Sequence, residues 1–440
     1  MIATAEKPAF QYNDKQKAGA RVLSDPSAKF IKFYGSSRSG KTLLVLRWIR
    51  VRALKYAGSK HLVARYSFAN AKKTIWLHSM LPLFRPDEKA GLCKINLSEG
   101  IIHYFNGSII VLGGLEPARI DSILAAEYGS IFITEANENR WREVELLFSR
   151  MNDTSVSETG QMIDPKAVFD LNPTNQQSWD FKLFELKQNP ESGQPLDNPA
   201  EYVSVQFRVE DNQENLSSNY IATLKNLSPS KRKRFYDGEY GSVDGLVYKE
   251  FNPDIHIVTP YKIPKEWKKY RGIDYGYVHP TACLWSAYDD ANERLVFYRE
   301  HRESRLTSQA QARAIIEKSR QDIENGANLD RSFINNLYTN VSDHQSEYRA
   351  GFQAEGIVTL PADKNVKEGI NLTAEMLDKC RIHIFRDLSM LIDELFSYTW
   401  DEHKEAPVKD DDDLMDAMRY IVMEVFKKRQ RKIHKGVRLT

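Results

Sequence analysis

The chain has 440 residues, 28% of them charged and 41% hydrophobic, with a formal net charge of +2. That length suits two or three domains with sizeable cores, and the near-neutral balance excludes both a uniformly basic nucleic-acid binder and an acidic disordered chain. No apolar run reaches the roughly 18 residues that span a bilayer, the first 19 residues lack the apolar segment of a secretion signal, and Cys93, Cys283 and Cys380 lie far apart without metal-ligand spacing, as expected in a reducing cytoplasm.

The first strong element is a strand, Ala28 to Tyr34 (AKFIKFY), rich in the aromatic and branched residues of a buried strand. It runs into Gly35-Ser36-Ser37-Arg38-Ser39-Gly40-Lys41-Thr42, which fits G-x-x-x-x-G-K-[ST] without a mismatch. A helix with apolar periodicity follows, Thr42 to Gly58, and stops at a glycine. Strand, loop and helix N-terminus form the context in which backbone N–H groups and the helix dipole hold an anion. Lys41 is then expected to reach the β- and γ-phosphates of a nucleoside triphosphate, and the Thr42 hydroxyl to ligate Mg²⁺.

An ATPase of this kind also needs a metal-supporting carboxylate and a base for water. Gly129 to Asn139 (GSIFITEANEN) supplies a short apolar strand, Ile131 to Ile133, ending in Thr134-Glu135. The usual pattern is Asp-Glu. Glu135 stands where the water-activating carboxylate belongs, or else it is a helix-start carboxylate favoured by the dipole. Thr134 brings a hydroxyl that can meet Mg²⁺ or its waters, but no charge. Lys166 to Phe181 reads as a buried strand ending in Asp170, then a turn through Asn172-Pro173. Asn172 is either a γ-phosphate sensor or a plain Asn-Pro turn.

Between Leu227 and Asp244 the texture changes to a connector with Pro, Gly and the basic cluster Ser230 to Phe235. Beyond it, Lys268 to Asp289 and Glu293 to Ser304 read as three consecutive antiparallel strands, with Asp274 near the end of the first. RNase H-like nucleases begin this way. They need further carboxylates, because two Mg²⁺ ions about 4 Å apart share ligands and hard cations take oxygen donors. Asp343 lies just past a short strand and before a helix. Four consecutive aspartates, positions 410 to 413, precede an apolar-striped helix, and Asp412, Asp413 and Asp416 can share one side of its start. They either cap and solubilise that helix or hold a cation that relieves their repulsion. Lys364 and Glu300 are reserve candidates, for phosphate and for metal respectively. Lys427 to Arg438 carries seven Lys/Arg, which suits phosphate contact or a solvated tail.

These pieces, in this order, resemble the large terminase subunit of tailed bacteriophages. The glycine-rich loop with Arg38, IFITEANE, DLNPTNQQSWDF, RKRFYDGEYGSVDGLVYKEF, GIDYGYVHPTA and DDDDLMDAMRY carry the match, which spans roughly Gln11 to Phe426. The resemblance implies an α/β protein: a P-loop (ASCE-type) ATPase domain with a central, mostly parallel sheet over 1–205, a hinge or lid over 206–245, an RNase H-like nuclease domain over 246–426, and a basic tail over 427–440. It implies ATP-driven translocation of double-stranded DNA into a procapsid, and Mg²⁺- or Mn²⁺-dependent endonucleolytic cutting of concatemers. The implied partners are the DNA, the portal protein, a small terminase subunit and further copies in a ring, in the host cytoplasm and transiently at the portal vertex, with no membrane.

Residue by residue, the resemblance implies nucleotide binding by Gly35, Ser36, Ser37, Arg38, Ser39, Gly40, Lys41 and Thr42. Gln16 and Tyr12 would read adenine, and Arg38 would stabilise the γ-phosphate in cis. Glu135 would serve hydrolysis, Asn172 coupling, and Arg150 would be a finger toward a neighbouring subunit. Asp274, Asp343 and one or more of Asp412, Asp413 and Asp416 would bind metal and cut DNA. Two positions depart from the family pattern: Thr134 replaces an acidic residue, and Asp413 stands where many relatives have His. A helicase–nuclease of repair or recombination is the alternative, and it would need helicase motifs that the sequence does not show.

Overall fold

The computed structural model describes residues 11–227, 229–241, 245–322, 331–401, 406–409 and 412–427. The expected tail beyond Lys427, and the first two aspartates of the acidic run, lie outside them. The chain divides into two compact units, 1–241 and 242–440.

The first unit is built on eight strands: β1 (Phe30–Gly35), β2 (Lys60–Arg65), β3 (Cys93–Asn96), β4 (Ile101–Tyr104), β5 (Ile109–Gly114), β6 (Ser130–Ile133), β7 (Lys166–Leu171) and β8 (Tyr202–Phe207). Their order is β3-β4-β5-β2-β6-β7-β1-β8. From β5 to β8 every pairing is parallel, and only the β3–β4 and β4–β5 pairs are antiparallel. Strands β6 and β7 are buried at every position, as a parallel sheet covered on both faces requires. Helix α1 (Asp14–Ser24) starts at Asn13 in a capping box with Gln16. Helix α2 (Lys41–Lys55) leaves the loop after β1, and helix α3 (Trp141–Phe148) follows β6.

The first sheet runs past position 205, where the sequence suggested a domain end, because β8 pairs with β1 out to Phe207 and Gly35. A side chain at Gly35 would meet the Phe207 carbonyl at 1.9 Å, so only glycine lets this edge close on the loop. The segment after β8 stays with this unit, and the Phe235 carbonyl accepts a hydrogen bond from the Ser37 N–H at 3.1 Å.

The second unit holds β9 (Ile257–Val258), β10 (Lys268–Asp274), β11 (Thr281–Asp289), β12 (Arg294–Glu303), β13 (Tyr338–Ser342), β14 (Leu360–Pro361) and β15 (Ile382–Phe385), in the order β14-β13-β10-β11-β12-β15-β9. Strands β10, β11 and β12 are antiparallel neighbours, and β13 joins β10 in parallel. Strand β11 is buried along its whole length, including Trp285 and Tyr288. Helix α4 (Ser389–Ser397) and helix α5 (Asp413–Val422) pack into the same core. Helix α5 crosses β10 at Gly272, where a Cβ would lie 2.2 Å from the Ala417 carbonyl oxygen. Among the described residues, no helix is long and apolar enough to cross a membrane.

Candidate nucleotide site and carboxylate cavity

In the first unit, β1 delivers its loop to the C-terminal edge of the parallel sheet, where α2 begins. Lys41 is buried, and its Nζ turns back onto the loop: it donates to the Ser36 carbonyl at 2.7 Å and the Gly35 carbonyl at 3.3 Å. It also reaches Asn172 Oδ1 at 3.4 Å. Burial pulls the Lys41 ammonium below its usual range, against the pull of Asp170 and Glu135. A buried cation held by loop carbonyls and facing two carboxylates is one that a phosphate would satisfy better. Gln16 is buried and donates to the Gly40 carbonyl at 3.2 Å, and Tyr12 packs against the same core. Of the two expected adenine readers, Gln16 therefore touches the loop, and Tyr12 joins the apolar core behind it.

Glu135 follows β6 with a left-handed backbone, φ 48°. Such strain in a non-glycine residue persists where surrounding structure imposes it, often at functional sites. Burial first, then Asp170 and Glu138, push its carboxyl up to about 7, against Lys41 and Arg65. Arg65, at the end of β2, forms a bidentate pair with Glu138 beside it. Asp170, at the end of β7, accepts from the Thr42 hydroxyl through one oxygen and from the Glu135 N–H at 3.1 Å through the other. Lys41, Thr42, Glu135 and Asn172 thus converge around one loop. Asp170 joins them, although the sequence drew attention to it only as a strand end.

Arg38, expected at the γ-phosphate, is not brought into this cluster, and Arg150, expected to reach a neighbouring subunit, lies away from it. Arg38 is exposed with φ 53°, and its guanidinium lies 5.3 Å from the Tyr220 ring centroid. Arg150 donates to the Leu124 carbonyl at 3.1 Å, and its own carbonyl accepts from the Tyr128 N–H. Tyr128 precedes β6, so Arg150 lies at the edge of the sheet opposite the loop. Helix α3, returning antiparallel to β6, carries it there.

In the second unit, a cavity of about 520 Å³ gathers Asp274 from the end of β10, Asp343 after β13, and Asp412, Asp413 and Asp416 around the start of α5. Burial first, then the charges of Asp416, Asp413 and Asp343, push Asp274 up to about 8, although the Tyr420 hydroxyl donates to it at 3.0 Å. Asp412 is raised to about 6 by burial and then by Asp416 and Asp413. Burial also acts to raise Asp343, but hydrogen bonds from Lys364 and the His344 N–H outweigh it and hold its carboxyl below the usual range. Arg302 pairs with Asp413 at 3.0 Å, and Arg419 pairs with Asp416.

The start of α5 is capped from elsewhere. Buried Glu394 of α4 accepts from the Leu414 N–H at 2.9 Å and the Met415 N–H at 3.2 Å, and Asp412 makes no side-chain cap bond. Capping therefore does not explain the acidic run. Glu300, the reserve metal candidate, is itself a cap: its two oxygens accept from the Met390 and Leu391 N–H groups at 3.1 and 2.9 Å. Lys364, by contrast, sits on Asp343.

Oxygen donors from three separate segments, crowded until one carboxyl resists ionisation, suit a hard divalent cation. As positioned, no group of three such side chains closes on a single point among the described residues, and Lys364, Arg302 and Arg419 pair with three of the carboxylates. The donor set fits the ion; the present pairing satisfies it with protein cations instead.

The fold and sites define a class: a P-loop nucleotide-binding unit followed by a carboxylate-lined unit of RNase H-like topology. Residues 271–425 match the terminase RNase H-like domain family. The large terminase subunit of Escherichia phage T5 is 24% identical over 430 residues, covering 94% of this chain and 90% of that protein. Among solved structures, the large terminase of the thermophilic bacteriophage D6E aligns over 94% of this chain and 99% of its own, at 19% identity and TM-score 0.45. The bacteriophage HK97 large terminase aligns over 95% and 96%, at 11% identity and TM-score 0.40. Over residues 271–425 the chain is similar to terminase RNase H-like domains, and along nearly its whole length it is similar to a phage large terminase.

Proposed function

We propose that this chain hydrolyses ATP to translocate double-stranded DNA and cuts that DNA with a divalent metal, as the large subunit of a phage terminase. The observation that carries the proposal is the pair of separate sites on one chain: Lys41, Thr42, Glu135 and Asn172 around a phosphate loop, and Asp274, Asp343, Asp412, Asp413 and Asp416 among the residues lining one cavity. Its working units would be a nucleotide unit through Gly241 and a nuclease unit after it, with the segment that follows β8 as the lever.

In the first unit, the loop N–H groups and the α2 dipole bind phosphate, and Lys41 exchanges its loop carbonyls for phosphate oxygens. Glu135 orients a water and takes its proton; a carboxyl poised near neutrality suits a base at cellular pH. Asn172 touches Lys41, so the loss of a γ-phosphate at Lys41 is felt at the tip of β7. Mg²⁺ bound with ATP would supply charge neutralisation on the phosphates.

In the second unit, Asp274, Asp343 and the Asp412/Asp413/Asp416 group would hold Mg²⁺ or Mn²⁺, which would supply Lewis-acid activation of a DNA phosphate. Lys364 and Arg302 line the same cavity and would meet the phosphate backbone once released from Asp343 and Asp413. The portal protein, a small terminase subunit, further copies of the chain in a ring and a site of action in the host cytoplasm belong to the same proposal.

ATP hydrolysis and plasmid cutting, measured on wild type, Lys41→Ala and Asp274→Ala, test it. Lys41→Ala should lose hydrolysis and keep cutting, and Asp274→Ala should do the reverse. Retention of both activities in both variants would refute the assignment.

A further inference from the structure

The strand that carries Glu135 lacks the acidic residue expected before it, and Thr134 stands there instead. We infer that Asp170, one strand over, supplies the missing carboxylate and supports the divalent cation that accompanies the nucleotide. This inference rests on the ATPase reading above.

The register explains the transfer. Ile133 of β6 pairs with Phe169 of β7, so Thr134 and Asp170 are the next neighbours at the tips of adjacent strands. Strand β7 lies between β6 and β1. A carboxylate moved from position 134 to position 170 therefore steps one strand spacing, about 4.8 Å, toward the phosphate loop. Its contacts fit the role. One Asp170 oxygen accepts from the Thr42 hydroxyl, the loop oxygen expected at the metal, and the other is fixed by the Glu135 N–H. Asp170 is only 3% exposed. No Lys or Arg among the described residues forms an ion pair with it. A carboxylate so deeply buried, hydrogen-bonded to a hydroxyl and one N–H, with Lys41 and Arg65 acting on it only from beyond ion-pair distance, has room for a cation. Thr42 and Asp170 together present the paired oxygens that a hard ion takes. Asn172 lies two residues further along the same strand tip and touches Lys41, so β7 would hold both the metal and the coupling group.

The test reads nucleotide affinity rather than turnover. Binding of a fluorescent ADP to the full chain is measured with and without Mg²⁺, in wild type, Asp170→Asn, Thr134→Ala and the double variant Thr134→Asp/Asp170→Asn. Mg²⁺ should tighten wild-type binding, Asp170→Asn should lose about tenfold of that gain with metal-free binding kept, and Thr134→Ala should keep the gain. The double variant, with its carboxylate returned to position 134, should recover part of it, which a misfolded Asp170→Asn protein would not allow. A full Mg²⁺ gain in Asp170→Asn, its loss in Thr134→Ala, or no recovery in the double variant would overturn the inference while leaving nucleotide binding intact. Failure of wild type to bind nucleotide under either condition would instead overturn the ATPase reading beneath it.

Discussion

Gly272→Ala tests how the last helix delivers its aspartates. Gly272 lies on β10 two residues before Asp274, and α5 crosses it so closely that a Cβ would fall 2.2 Å from the Ala417 carbonyl oxygen and 2.8 Å from an Ile421 side-chain carbon. Real Cβ atoms essentially never approach within 3.0 Å. The backbone oxygen cannot rotate away, so α5 must back off by roughly 1 Å to regain ordinary van der Waals contact. Overpacking of this kind costs about 1–3 kcal/mol, and the second unit should melt several degrees lower. Asp416 immediately precedes Ala417, and Asp413 lies one turn earlier, so the shift moves both away from Asp274. A displacement of that size in a reacting group costs on the order of 100-fold in rate. Plasmid linearisation with Mn²⁺ should fall by about that factor, while ATP hydrolysis in the first unit stays at the wild-type rate. If the variant cuts and melts like wild type, α5 does not position these carboxylates and the geometric argument fails.

Glu135→Gln should bind nucleotide as wild type does and lose hydrolysis by on the order of 100-fold or more, because it removes the base and keeps the shape; equilibrium binding beside steady-state turnover checks this. Glu300→Gln removes a charged helix cap and should cost about 1 kcal/mol in thermal unfolding, with the metal dependence of cutting unchanged; a shifted metal dependence would return Glu300 to the metal site. Lys364→Ala frees Asp343 from a half-exposed cation and should tighten Mn²⁺ binding a few-fold at most, the size of a surface ion pair, as read by titration calorimetry without DNA. Weakened Mn²⁺ binding in that variant would mean that Lys364 supports the metal site rather than competing with it.

The phosphate loop was legible because its chemistry is local: one strand, eight fixed positions and one helix start. Asp274 and Asp343 were legible for a similar reason, each ending a short strand at a point where the chain turns. The residues that were not legible depend on register between distant segments. Asp170 looks like the end of a buried strand until β7 is placed between β6 and β1. A buried aspartate needs a partner, and that requirement was the available signal. Whether the aspartates at 412–416 cap their helix could not be decided from the run itself, since the cap comes from Glu394, about 20 residues upstream. Glu300 appeared to be a spare metal ligand because its role depends on α4, nearly 90 residues later in the chain. Arg150 was expected as a finger toward a neighbouring subunit, and α3 carries it to the edge of the sheet opposite its own phosphate loop. The domain end expected at 205 falls inside β8, whose mix of apolar and polar residues suits a half-buried edge strand.

Anomalous scattering from a crystal of the full chain soaked in Mn²⁺ without nucleotide tests the central claim most directly. A manganese peak contacting Asp274, Asp343 and at least one of Asp412, Asp413 and Asp416, with Lys364 swung off Asp343, is the predicted result. A fully soaked crystal with no peak in that cavity, and with those aspartates still paired to Lys364 and Arg302, would contradict it.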